Sequence, residues 1–225
     1  MLQDVNLHEA RAGLRLSTML RVGLTGGIAC GKTTVLAMFA LHGAHTLRAD
    51  GVAHDLMAPG EPVYERIVAT FGRGILAEDG TIARAKLAAA AFPGRVAELN
   101  AIVHPAVLDF EDEWMRRMEE RDPQGVAICE AALLIEAGGR ARFDRLIVVT
   151  CTLRQKIARF AARTGMSSET AAVEVRRRMA AQMPEEEKAR LADYVIDNNG
   201  SHQDAEQRVA EIWRELKTAA RARGC

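Results

Sequence analysis

The stretch Gly26-Gly27-Ile28-Ala29-Cys30-Gly31-Lys32-Thr33 constrains this chain more than any other. It fits G-x-x-x-x-G-K-[ST], a pattern that functions as a loop between a buried strand and a helix. Its neighbours supply both. Leu20 to Thr25 is a short buried-strand run, and Val35, Met38, Phe39 and Leu41 recur at helical spacing after the loop. Glycines let the backbone curl so that successive N–H groups converge on phosphate oxygens, and the helix N-terminus adds its positive dipole end. In that geometry Lys32 reaches the β- and γ-phosphates of ATP, and the Thr33 hydroxyl ligates Mg²⁺. Gly27, Ile28, Ala29, Cys30, Gly31, Lys32, Thr33 and Thr34 are therefore candidate ATP-binding positions, and Thr33 is the candidate metal ligand. Cys30 reads either as a reactive thiol near a positive dipole or as a tolerated small residue.

Four more strands are expected: Ala44 to Leu47, running out at Arg48-Ala49-Asp50; Gly125 to Cys129; Arg145 to Thr150; and Tyr194 to Ile196. They alternate with helical segments, which implies an α/β fold with a parallel five-stranded sheet. From Gly51 to about Arg121 the pattern is helical and broken by the turns Ala58-Pro59-Gly60 and Glu78-Asp79-Gly80. One helix there, from Arg95, is expected to stop before Pro105, with Pro105 in the first turn of the next. Arg154 to Met183 is mostly helical, a short helix follows Pro184, and Ser201 to Asp204 fits a capping box opening the last helix. Residues 1–18 carry no apolar core of signal-peptide length and read either as a disordered extension or as sequence ahead of a true start at Met19.

A phosphate loop alone does not separate kinases from GTPases or transport ATPases. No Asn-Lys-x-Asp segment occurs, which weighs against a Ras-like GTPase. Asp50 falls at the carboxyl end of the expected second strand, where ligands of open α/β sheets gather. A carboxylate there can accept a hydroxyl proton, or it can simply cap the loop. Lys plus Arg and Asp plus Glu both total 30, so the chain has no global basic excess with which to grip nucleic acid. Against that balance, Arg154 to Arg178 holds seven cations and two carboxylates, an excess of five positive charges. Such a run reads as a solvated face or as a cationic lid for the γ-phosphate, with Arg159 and Arg163 on one helix face. The four cysteines show neither CxxC nor zinc-finger spacing, as reduced cytoplasmic thiols would, and no apolar run is long enough to span a bilayer. His104 reads as a buried structural residue or a substrate contact, and Trp114 and Trp213 as packing residues.

Together these segments resemble the dephospho-CoA kinase family from Leu20 to about Lys217. The resemblance rests on Val22 to Ile28 with Gly31 to Thr34, on Ala49-Asp50 with His54, and on Asn100 to Pro105. It continues through Leu133-Leu134-Ile135-Glu136, Arg178 to Met183 and Ala192 to Gly200. It implies ATP-dependent phosphorylation of the ribose 3′-hydroxyl of dephospho-CoA, the last step of coenzyme A biosynthesis. The implied parts are a core at about 19–50 and 122–225, an inserted helical substrate domain at about 51–121, and a helical lid at about 154–183. Asp50, Lys32 and Arg159 become the implied catalytic residues. Arg163 and Asn199 join the ATP site, and Asp50, His104, Leu133 and Glu136 the acceptor site. The chain departs from the family pattern at Arg48, where an aspartate is usual, and at Ala132, where a proline is usual. Another small-molecule P-loop kinase, acting on nucleosides or nucleotides, and a nucleotide-binding switch module are the competing readings. The partner expected is the small-molecule substrate, with no nucleic acid or membrane, and a monomer is favoured.

Overall fold

A computed structural model of the chain describes residues 18–92 and 94–223. The expectation for the N-terminal extension, Thr18 apart, lies outside the described residues. Near-continuous apolar runs in the three central strands bury both faces of the sheet. On one face Leu20, Val22 and Leu24 of β1 (Leu20–Gly26) join Val126 and Ile128 of β3 (Val126–Glu130). Ile147 and Val149 of β4 (Arg145–Thr150) and Ile196 of β5 (Tyr194–Asp197) complete that face. It packs on α1 (Lys32–Leu41) and on α9 (His202–Arg223), whose Ala205, Val209, Ile212, Leu216 and Ala220 form an apolar stripe at helical spacing. The other face, through Ala127, Cys129, Leu146 and Val148, meets Met115 and Trp114 of the long helix α5 (Val96–Arg121). Strands covered on both sides read as the near-continuous apolar runs seen in the sequence.

All strands pair in parallel, in the order β2-β3-β1-β4-β5, with β2 at His45–Arg48. The expected α/β class and five-stranded parallel sheet are thus borne out. β1 lies at the centre, so the loop leaving it opens above the carboxyl ends of its neighbours, where open parallel sheets bind ligands. Register does the rest: Glu130, the last residue of β3, sits opposite Leu24 on one side and Arg48 on the other.

Between β2 and β3 come α2 (Ala49–Leu56), α3 (Pro62–Phe71), α4 (Arg84–Ala91) and α5. They surround their own cluster of Val63, Ile67, Ile75, Leu87 and Ile102. Two expectations are corrected here. The second strand stops at Arg48, and Asp50 lies in the first turn of α2 rather than at the strand end. The break expected before Pro105 does not occur, because α5 runs unbroken from Val96 to Arg121 with Pro105 inside it. Pro105 removes one helical hydrogen bond. Packing at both ends holds the helix together regardless, since Ile102, Val103 and Ala106 belong to the helical cluster while Trp114, Met115 and Met118 lie against the sheet.

After β4, α6 (Leu153–Thr164) and α7 (Ser168–Ala180) fold back on each other, joined at Gly165, whose φ of 69° is left-handed. Phe160, Ala171 and Val175 bury their contact against Ile28 of the phosphate loop. A short α8 (Glu185–Arg190) leads into β5. The capping box is present at α9, where the Ser201 hydroxyl donates to the Asp204 carboxylate and accepts from the Asp204 amide.

Candidate active site

The Gly26–Thr33 loop takes backbone shapes that its glycines permit. Gly26 has φ 151° and Gly31 φ 94°, while Ala29, at φ 53°, is the one non-glycine among the described residues with positive φ. A Cβ on Gly26 would run into the Val149 carbonyl oxygen and the Cys30 sulfur. We expect Gly26→Ala to destabilise the fold by about 2 kcal/mol, through backbone strain plus clash, and to weaken ATP binding with it. Thermal unfolding and ATP titration would check both, and an unshifted midpoint would contradict the strain argument.

Lys32 opens α1, and its ammonium reaches back across the loop to donate to the carbonyls of Gly26 at 3.2 Å and Gly27 at 3.0 Å. Cys30 is fully buried, its sulfur in the core beneath the sheet, and burial pushes its thiol up from the ordinary value. Of its two readings this position supports the small-residue one, since the attacking species would be the thiolate. Its carbonyl does face the site, accepting from the Asn198 amide at 2.8 Å and from Arg159 at 3.3 Å. Ile28 turns its side chain away, into the contact with α6 and α7. Behind the loop, Lys156 and Glu185 form a buried ion pair against Gly27, and Glu185 also accepts from the Cys151 amide at 2.9 Å.

Glu130 was not among the residues singled out from sequence. Only 7% exposed, it accepts from the Thr33 hydroxyl at 3.2 Å and lies 3.5 Å from the Arg48 guanidinium. Burial pushes its carboxyl up, against the pull of Lys32, Arg48 and the Thr33 hydrogen bond. Reading the third strand as ending at Cys129 hid it. An acid directly after an apolar strand is the same signal that picked out Asp50.

A polar cleft runs over the loop, lined by Lys32, Thr33, Thr34, Asp50, Arg159 and Arg163 among others. Arg159 also donates to the Asn198 carbonyl at 3.0 Å, and Arg163 stacks its guanidinium 5.4 Å from the Phe160 ring centroid. Asn198 lines this cleft, whereas Asn199 turns aside, accepting from the Thr152 amide at 2.7 Å. Arg48, the departure from the family pattern, is on the cleft wall beside Glu130.

A second cavity, about 230 Å³ and mostly apolar, opens between α2, α5 and the segment after β3. His104 and Leu133 line it, and so does Asp50. Glu136 is not among its lining residues. It pairs with the buried Lys188 at 2.7 Å and accepts from the Met183 amide, tying the chain after α7 to the core. Asp50 thus borders both the cleft and the cavity.

Residues 20–204 match the family model described as Dephospho-CoA kinase. The chain belongs to the dephospho-CoA kinase family. Among its relatives, the dephospho-CoA kinase of Corynebacterium glutamicum is 39% identical over 202 residues, covering 86% of this chain and 98% of that protein. That of Aquifex aeolicus is 42% identical over 200 residues, covering 88% and 98%. A solved structure from Thermus thermophilus, 33% identical, superposes with a TM-score of 0.72 over 88% of this chain and 98% of its own. A dephospho-CoA kinase structure from Campylobacter jejuni, 24% identical over 88% and 98% of the two chains, shares the fold with a TM-score of 0.63. As a member of the dephospho-CoA kinase family the chain is a kinase, built on the sheet and phosphate loop described above. No described helix is long and apolar enough to cross a membrane.

Proposed function

We propose that this chain moves the γ-phosphoryl group of ATP onto the ribose 3′-hydroxyl of dephospho-CoA, closing coenzyme A biosynthesis, with the residue roles that follow. The observation that carries the assignment is the position of Asp50 on the wall shared by the polar cleft and the apolar cavity. ATP held in the cleft and an acceptor held in the cavity would meet at its carboxylate. Lys32 and the loop amides hold the triphosphate, and Asp50 orients or deprotonates the acceptor hydroxyl. Arg159 and Arg163 face the charge that spreads over the transferring phosphoryl oxygens. Binding both reactants in line supplies much of the acceleration, since phosphoryl transfer asks for positioning and charge stabilisation more than covalent chemistry. In this reading α2 to α5 form the acceptor-binding insertion and α6 with α7 the lid. The chain acts in the cytoplasm, where its buried free cysteines stay reduced.

Magnesium fits the oxygens present. The Thr33 hydroxyl and the Glu130 carboxylate meet at 3.2 Å on the cleft wall, an all-oxygen donor set of the kind that holds Mg²⁺ through one or two side chains, waters and substrate phosphates. When bound, the ion neutralises charge on the β- and γ-phosphates. Glu130→Gln is expected to raise the Mg²⁺ concentration for half-maximal rate about 10- to 100-fold, the usual effect of losing a supporting carboxylate. A magnesium titration at saturating ATP and acceptor reads this, and an unchanged midpoint would remove Glu130 from the metal site.

The reaction itself is tested by ADP release in a coupled assay across dephospho-CoA, nucleosides and nucleoside monophosphates. Turnover stimulated by dephospho-CoA alone is the expected result. Stimulation by a nucleoside or nucleotide instead would favour another small-molecule kinase, and ATP turnover indifferent to every acceptor would mark a nucleotide switch.

A further inference from the structure

The apolar cavity beside Asp50 has one charged end. Glu111, on α5 and 4% exposed, lines it together with Arg142. The Arg142 guanidinium is already engaged: it donates to Glu111 Oε2 at 2.5 Å, to Asp112 Oδ1 at 2.6 Å and to the Leu108 carbonyl at 3.4 Å. Asp112 lies outside the cavity, its side chain 62% exposed, and shares the guanidinium with Glu111, so the Arg142 fork is taken up by the two carboxylates. The second oxygen of Glu111 takes no hydrogen bond from the described residues. His104 lines the same wall two turns earlier on α5.

This arrangement discriminates among the parts of the acceptor. A diphosphate gains little here, because the Arg142 fork is already held by carboxylates and the remaining walls are mostly apolar. The pantetheine arm hangs beyond that diphosphate. The base is joined directly to the ribose whose hydroxyl must reach Asp50, so it enters the cavity first. Apolar walls at Ala53, Val103 and Val107 suit a flat ring, and a carboxylate oxygen at the end suits a donor on its edge. Adenine carries such a donor, its exocyclic amine.

We propose that Glu111, held by Arg142, reads the exocyclic amine of the acceptor's adenine and is a specificity determinant of this kinase. The inference rests on the acceptor assignment made above. It requires no partner beyond the substrate itself, and the carboxylate does its work as a hydrogen-bond acceptor only.

The test compares dephospho-CoA with its counterpart bearing hypoxanthine, which presents a carbonyl oxygen where adenine has the amine. A charge-assisted hydrogen bond lost from a buried site corresponds to a discrimination of about 10- to 100-fold in kcat/KM. The wild-type chain is therefore expected to prefer the adenine acceptor by that factor. Glu111→Gln, whose amide can donate to the carbonyl and leaves Asp112 to pair with Arg142, is expected to lose most of the preference, chiefly through KM of the adenine acceptor, with ATP affinity unchanged. Equal kcat/KM for the two acceptors in the wild-type chain overturns the proposal whether or not the variant folds. So does a variant that loses activity on both acceptors by the same factor, which would make the pair a brace of the fold. A wild-type chain that phosphorylates neither acceptor would instead bring down the acceptor assignment, and this inference with it.

Discussion

Replacing Lys32 with alanine is expected to lower kcat/KM by about 10²- to 10³-fold while leaving the fold intact. The size follows from what the ammonium does. It is a fixed positive charge at the mouth of a loop whose other donors are neutral amides, and removing one such preorganised group from a charge-developing site costs about 3–4 kcal/mol of transition-state stabilisation. The fold loses little. Lys32 is half-buried, and its hydrogen bonds are to the Gly26 and Gly27 carbonyls of its own loop. Alanine at the first residue of α1 is also at least as good a helix former. Unfolding midpoints within a few degrees of each other, beside the drop in rate, would be the expected pair of results. Arginine at the same position should rescue poorly, because a planar fork does not substitute for a compact ammonium inside a loop built around one. Turnover near the original in Lys32→Ala would overturn the reading of this loop as a triphosphate cradle.

What was legible in advance divides along physical lines. The phosphate loop could be read because its chemistry is local: eight consecutive residues carry the turn, the charge and the hydroxyl. The three central strands could be read because burial on both faces writes continuous apolar runs, whereas the edge strands β2 and β5 are short and little buried. Pro105 misled, because the lost hydrogen bond is a local quantity and the packing that outweighs it comes from residues on two different cores. Glu130 escaped because its meaning is set by register. It becomes a site residue only when β3 lies between β1 and β2 and brings it to Thr33 and Arg48, 97 residues away along the chain in the case of Thr33. The same holds for Glu111 and Arg142, 31 residues apart and paired at one end of the apolar cavity. Asn198 and Asn199 show how fine the limit is. Adjacent residues at the end of β5 point to different sides, and a family motif written in consecutive letters does not say which one faces the cleft.

Asp50→Asn is expected to lower kcat by about 10²- to 10⁴-fold, with the ATP dissociation constant changed by no more than about twofold. The asymmetry comes from where the residue sits. In the proposed mechanism Lys32, Thr33 and the loop amides hold the nucleotide without it, whereas Asp50, which borders both the cleft and the cavity, is the group set to meet the attacking oxygen. Asparagine keeps the size and one acceptor oxygen but cannot take a proton. The magnitude therefore separates the two roles. A fall near the top of the range marks proton acceptance, while one of about tenfold marks a carboxylate that only orients the hydroxyl. Stability should hardly move, because Asp50 is exposed and its structural contribution is that of an acid in the first turn of α2, worth about 0.3–1 kcal/mol against the helix dipole. The measurement is single-turnover transfer to dephospho-CoA beside equilibrium ATP binding. A kcat equal to that of the unmodified chain would take Asp50 out of the chemistry and leave the two cavities meeting at a residue with no part in the reaction.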